Sequence, residues 1–223
     1  MSSPLWFIGM EEGGGRDCAE LAIRIAAWDR GGRRTLEDLS SYHHAIGASQ
    51  YFHPSRPKRQ PTWLALSKLL QAWRSAPSDA ETLRSVRIRE LGSDSGPVAL
   101  LELMPLPAKR SDAWPYAELS SRHSFLSNRG TYIDAIRPRR IASIRSMIRE
   151  HAPAAVVFYG MGSTPSWREI VGADFESVQL AGISCLRART TLTRHLVAPH
   201  PVAFGNTDQL WKEIGLHLRD VES

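Results

Sequence analysis

The sequence predicts an α/β protein, a three-layer α/β/α sandwich around a central, mainly parallel four-stranded sheet. Three observations predict it. Four short apolar runs, each bounded by Gly, Pro or a polar turn, have the length and composition of buried strands. The segments between them carry apolar residues recurring at three and four, the period of amphipathic helices. Strands that alternate with helices build a parallel sheet covered on both faces. A chain of 223 residues with 42% hydrophobic content can bury one sizeable core, so residues 1–223 are expected to form a single domain.

In chain order, the first strand is Leu5–Met10 and the first helix Asp17–Trp28. Residues 31–61 are polar, aromatic and without a clear period, and read as a long ordered loop lining a site or as an insertion. Helices are expected over Thr62–Trp73, with Pro61 at its start, and over Ala80–Arg89. The second strand is Val98–Met104, the next helix Ile136–His151, the third strand Ala154–Tyr159 and the fourth Leu192–Ala198. Asn206-Thr207-Asp208 opens a last helix over Asp208–Arg219. No internal repeat or low-complexity tail interrupts this order.

The formal charge is +5, and only Lys58, Lys68, Lys109 and Lys212 are lysines, so 24 of the 28 basic residues are arginines. Arginine's planar fork of donors suits phosphate and stacks on bases, although a GC-rich genome writes the same bias. Cys18 and Cys185 are too few and too far apart for a disulfide scaffold or a metal framework, and both are expected to be reduced. His43, His44 and His53 have no convincing ligand spacing, so no metal and no cofactor is expected. The N-terminus lacks a basic segment followed by an apolar run, and no stretch reaches the roughly 18 apolar residues of a membrane helix. A cytoplasmic protein without membrane contact is the expectation.

In folds of this class ligands gather at the carboxyl ends of the strands. The loops there are Gly9-Met10-Glu11-Glu12-Gly13-Gly14-Gly15, then Glu102-Leu103-Met104-Pro105, then Gly160-Met161-Gly162, then Pro199-His200-Pro201. Their order resembles the uracil-DNA glycosylase superfamily. That family's first motif follows strand one as Gly-Gln-Asp-Pro-Tyr, Gly-Met-Asn-Pro-Gly or Gly-Glu-Ala-Pro-Gly, and its last is His-Pro-Ser. Gly9-Met10-Glu11 stands in the first place and His200-Pro201-Val202 in the last, while Pro61-Thr62-Trp63-Leu64 resembles the Pro-Pro-Ser-Leu that opens a helix against the DNA backbone. Glu12 replaces the usual Pro, and Val202 the usual Ser.

The resemblance implies a monomeric enzyme that flips a nucleotide out of double-stranded DNA and hydrolyses its N-glycosidic bond. That reaction builds positive charge on the sugar and negative charge on the departing base, so it wants an anion beside the first and a donor beside the second. Glu11 matches the family's water-positioning Asp or Asn, and His200 the His that donates to the base; the other readings are a helix N-terminal carboxylate and a turn histidine. Gly9, Met10, Gly13 and Glu102 match base-reading positions. An ionised Glu102 would accept from the amino group of cytosine, where Asn reads uracil. Alternatively Glu102 is protonated, or pairs with an arginine. Gly13 occupies the place of the tyrosine that excludes a C5 substituent, and Gly13–Gly15 equally suit a turn or a phosphate. Together these residues favour a 5-substituted cytosine, such as hydroxymethylcytosine or its glucosylated form, as carried by phage DNA.

Phe204 matches the DNA-inserting residue, unless it caps the last helix. Tyr51 or Phe52 is a candidate to stack on the flipped base, and Pro61, Thr62, Arg56, Lys58, Arg59, Arg187 and Arg189 are candidates to grip DNA. No lysine falls in the matched loops, so an abasic product without strand cleavage is expected. Uracil repair, a non-catalytic DNA-binding module and a small-molecule nucleotide hydrolase are the rival functions; the last lacks the Lys-Ser or Lys-Thr of a phosphate loop.

Overall fold

The computed structural model describes residues 3–108 and 114–220. They form an α/β fold with a mixed six-stranded sheet of order β2-β1-β3-β6-β5-β4. The strands are β1 (Leu5–Glu11), β2 (Val98–Met104), β3 (Ala155–Tyr159), β4 (Glu176–Leu180), β5 (Ile183–Arg189) and β6 (Arg194–Ala198). The four expected strands are neighbours and all parallel: β1 pairs with β2 and β3, and β3 with β6. The four-stranded sheet is corrected to six by an antiparallel hairpin, β4-β5, that pairs with β6 and completes one edge. Its strands alternate exposed and partly buried residues, so no continuous apolar run marks them. Ala181 and Gly182 turn the hairpin with φ of 49° and 73°, the doubly positive geometry that matches strand twist.

The helices are α1 (Cys18–Arg30), α2 (Leu39–Ala45), α3 (Pro61–Trp73), α4 (Ala80–Arg89), α5 (Arg129–His151), α6 (Thr164–Val171) and α7 (Asp208–Asp220). Residues 31–61, expected as an ordered loop or an insertion, include the short helix α2 and a 3-10 turn at Ser49–Phe52, and end on the first residue of α3. Helix α5 starts seven residues before the expected Ile136, at a capping box in which Asn128 accepts from the Thr131 amide; Pro138 lies inside it. A proline that far into a helix imitates a start. No helix among the described residues is long and apolar enough to cross a membrane.

Side-chain alternation along β1 divides the core. Leu5 and Phe7 join Leu66, Leu69 and Leu70 of α3 and Leu210, Trp211 and Ile214 of α7. Trp6 and Ile8 point the other way, to Ile141, Ile144 and Ile148 of α5 and Trp167 and Ile170 of α6. All four β1 side chains are fully buried, so the strand is held from both faces and its carboxyl end is delivered as a rigid rim.

Candidate active site

The carboxyl ends of β1, β2, β3 and β6 carry the distinctive side chains on one rim. Gly9 and Glu102 are register partners across β1 and β2. Tyr159 ends β3, and its hydroxyl donates to Glu102 Oε1 at 3.0 Å. The Tyr159 ring meets the His200 ring edge-on, with centroids 5.6 Å apart. A Cβ at Gly9 would lie 2.4 Å from Glu102 Oε2 and 2.5 Å from the Tyr159 ring, so only glycine admits this approach. The backbone of β2 is fixed from behind by Arg140 of α5, which donates to the carbonyls of Glu102 and Leu103 at 2.7 and 3.1 Å.

Glu102 is the most perturbed acid of the rim. Burial raises its pKa to about 8, against the stabilising bond from Tyr159, and the nearby Glu12 and Glu11 carboxylates add to the rise. Oε2 is buried without a hydrogen-bond partner among the described residues. At neutral pH Glu102 is therefore a carboxylic acid with an O–H donor as well as an acceptor, the protonated one of the alternatives that the sequence left open. Its side-chain partner is a tyrosine rather than an arginine. Burial and the neighbouring Glu102 also push Tyr159 well up, which keeps it a donor.

Glu11 ends β1 and accepts from Arg129 Nη2 at 2.6 Å, both side chains being about 85% buried. Burial raises the Glu11 pKa, while the charge and hydrogen bond of Arg129 pull it back. His200 follows β6 in an exposed loop. Partial burial against its neighbours lowers its pKa, and the Val202 amide donates to Nδ1 at 3.4 Å. The neutral ring then carries its proton on Nε2 and can donate it. Asn206 Nδ2 holds the loop by donating to the His200 carbonyl at 2.6 Å.

Glu12 is taken up by Arg24, which donates to it at 2.6 Å and also reaches Tyr42 and Glu20. The amides of Gly15 and Arg16 donate to Glu20 at 3.1 and 3.2 Å, and these bonds with Arg24 hold the Glu20 pKa at about 2 although burial opposes them. A glycine loop already filled by a carboxylate is not a phosphate cradle. Gly15, at φ 71°, packs so closely that a Cβ would fall 2.1 Å from the Pro107 carbonyl. Gly13 is different: a Cβ there would meet nothing within 4 Å.

Several expected residues lie elsewhere. Met10 turns its side chain to the opposite layer, where Ser163 Oγ donates to its sulfur at 3.5 Å, so only its backbone belongs to the rim. Phe52 is buried at 6% exposure among His43 and Trp63, and Lys58 sits over the half-buried Tyr51 ring at 5.2 Å. The stacking role is corrected for Phe52, because the aromatic cluster encloses its ring. Arg189 pairs in register with Arg194, the first residue of β6, which puts it at the end of the sheet opposite His200; Arg187 lies mid-strand and contacts Glu176 at 3.3 Å. The antiparallel direction of β5 is the reason, and it removes both from the DNA-gripping set.

Arg56, Lys58 and Arg59 are exposed in the loop before α3, whose first residues Pro61 and Thr62 follow a Gln60 cap. Phe204 stands fully in solvent at the tip of the loop after β6, so it does not cap α7; Thr207 does, accepting from the Leu210 amide at 3.3 Å. Among the histidines weighed as ligands, His43 and His44 use Nδ1 on the carbonyls of Leu39 and Ser40, and His53 Nδ1 accepts from the amides of Ser55 and Arg56. No group of three His, Cys, Asp or Glu among the described residues is arranged to hold a metal ion. Sequence reasoning missed Tyr159 and Arg129. The first was findable as the last residue of a strand; the second was hidden by the misjudged start of α5.

Comparison of the chain with protein-family models and with curated protein sequences finds no match.

Proposed function

We propose that the chain is a monofunctional DNA glycosylase that hydrolyses the N-glycosidic bond of a flipped, modified pyrimidine, favouring a 5-substituted cytosine. The observation that carries the reading is the gathering of Glu11, Glu102, Tyr159 and His200 at the carboxyl ends of four adjacent parallel strands. The layering of helices on both sheet faces supports the α/β/α architecture of the resembled superfamily.

In this reading Glu11 is the anion at the sugar. Its burial-raised pKa makes it a better base toward a water, and Arg129 holds it in position. His200, neutral with Nε2–H available, donates to the pyrimidine O2 as the base departs with its electrons. Glu102 reads the Watson–Crick edge. As a neutral acid it donates from Oε2 to cytosine N3, and Oε1 accepts from the exocyclic amine beside its bond from Tyr159. The open space at Gly13 supports tolerance of a C5 substituent. Phe204, exposed and apolar, supports a wedge that fills the vacated stack. Water supplies the hydroxyl at C1′, and an abasic site and a free base leave.

Uracil excision is a second reading, and the neutral Glu102 favours it: its O–H and C=O match uracil O4 and N3–H as an amide does. Mass spectrometry of bases released from duplexes carrying uracil, methylcytosine, hydroxymethylcytosine and glucosylated hydroxymethylcytosine separates the two. Release of a 5-substituted cytosine in preference to uracil supports the first; release of uracil alone rejects it in favour of the second.

A further inference from the structure

Arg87 of α4 is a buried cation with no ion-pair partner among the described residues. It is 8% exposed, its Nη2 donates to the Pro57 carbonyl at 3.3 Å, and its Nε has no partner among the described residues. It lines a cavity of about 440 Å³ between α3, α4 and α7, with Lys68, Arg84, Lys212 and Asp208. Lys68 is 9% exposed and its ammonium lies 2.5 Å from Asp208, a carboxylate 74% exposed to water. Four cations thus face one carboxylate, and the cavity's apolar walls, Leu64 and Leu83 among them, lower the local dielectric.

Removing a guanidinium from water is costly unless an anion and its hydrogen bonds replace the hydration. Among the described residues no acid forms an ion pair with Arg87, and burial lowers its pKa. A planar fork with an unused Nε, lining the same cavity as the buried Lys68 ammonium, fits an oxyanion that takes bidentate and point-charge contacts together. We propose that this cavity is a phosphate-binding site, with Arg87 and Lys68 as its buried contacts and Arg84 and Lys212 at its rim. Its wall includes the first turn of α7, eight residues after His200, and Pro57 of the basic loop before α3. A DNA backbone phosphate is therefore one source, which rests on the glycosylase reading; a free phosphate is the other, and needs no such reading.

The test is calorimetric titration of the whole chain with inorganic phosphate at constant ionic strength. Saturable binding is expected, with affinity falling at least tenfold in Arg87→Met and about threefold in Arg84→Ala, a rim change that leaves the fold intact. Absence of saturable binding, or affinity unchanged from the parent chain in both variants, overturns the proposal. Duplex affinity distinguishes the sources. If the backbone fills the site, phosphate competes with DNA and Arg84→Ala flattens the salt dependence by about one unit of slope. If free phosphate fills it, DNA affinity is unchanged. Neither readout involves base release, so failure of the catalytic reading is recorded separately.

Discussion

Replacing Glu102 with Gln should stabilise the protein at neutral pH and remove much of its pH dependence. The side chain is partly buried at the β1–β2–β3 rim with its Oε2 enclosed, and burial raises its pKa from an ordinary 4.5 to about 8. The folded state then binds a proton that the unfolded state has released, so stability falls as pH rises through this window. It is complete below about pH 4.5 and is lost progressively up to about pH 8, with a slope near 1.4 kcal/mol per pH unit. At pH 7 the chain is 2.5 units above the unfolded value, a cost of about 3 kcal/mol, against about 1 kcal/mol at pH 5. Glutamine keeps the acceptor for the Tyr159 hydroxyl and never ionises. Urea unfolding of both proteins at pH 5, 6, 7 and 8 reads the difference. Curves that diverge with pH, the variant being more stable by about 3 kcal/mol at pH 7, agree with a neutral buried acid. A constant offset across the series would refute the reasoning, since it would mean that Glu102 is ionised in the folded state throughout.

Arg129→Met leaves the Glu11 carboxylate mostly buried without its partner, so stability at pH 7 should fall by about 3 kcal/mol and the acidic limb of base release should move to higher pH; unfolding and a pH–rate profile check it. Phe204→Ala should change stability by less than about 0.5 kcal/mol, because the ring is fully exposed, yet slow base release from duplex about tenfold while sparing single-stranded substrate. Gly13→Tyr should fold normally, as a Cβ there meets nothing within 4 Å, and should cut release of 5-substituted bases at least tenfold relative to unsubstituted ones, measured as a ratio of kcat/KM.

The parallel half of the fold is legible because its strands are buried on both faces. Leu5–Ile8 and Ala155–Tyr159 read as unbroken apolar runs, and their pairing follows from the helices between them. The hairpin is not legible by the same rule: in Glu176–Leu180 and Ile183–Arg189 one face is solvated, so polar residues break every run. With that hairpin unread, Arg187 and Arg189 had no strand to place them, and antiparallel β5 carries them away from the His200 end of the sheet. In the candidate site, Glu11 and His200 are visible as residues ending or following strands, and Glu102 as an acid near the carboxyl end of an otherwise apolar strand. What the chain order hides is who meets them. Tyr159 on Glu102 and Arg129 on Glu11 are contacts across 57 and 118 residues, and no local period encodes such pairs. The protonation of Glu102 is equally a property of burial, which a residue type alone does not carry.

The decisive measurement is single-turnover base release by Glu11→Gln and His200→Ala, run beside equilibrium affinity for the same duplex. Each variant should release base at least about 100-fold more slowly while binding DNA within about threefold of the parent chain. Unchanged release rates in both variants, or a loss of DNA affinity that accounts for the whole decline, would contradict a shared reaction centre between the first and last parallel strands.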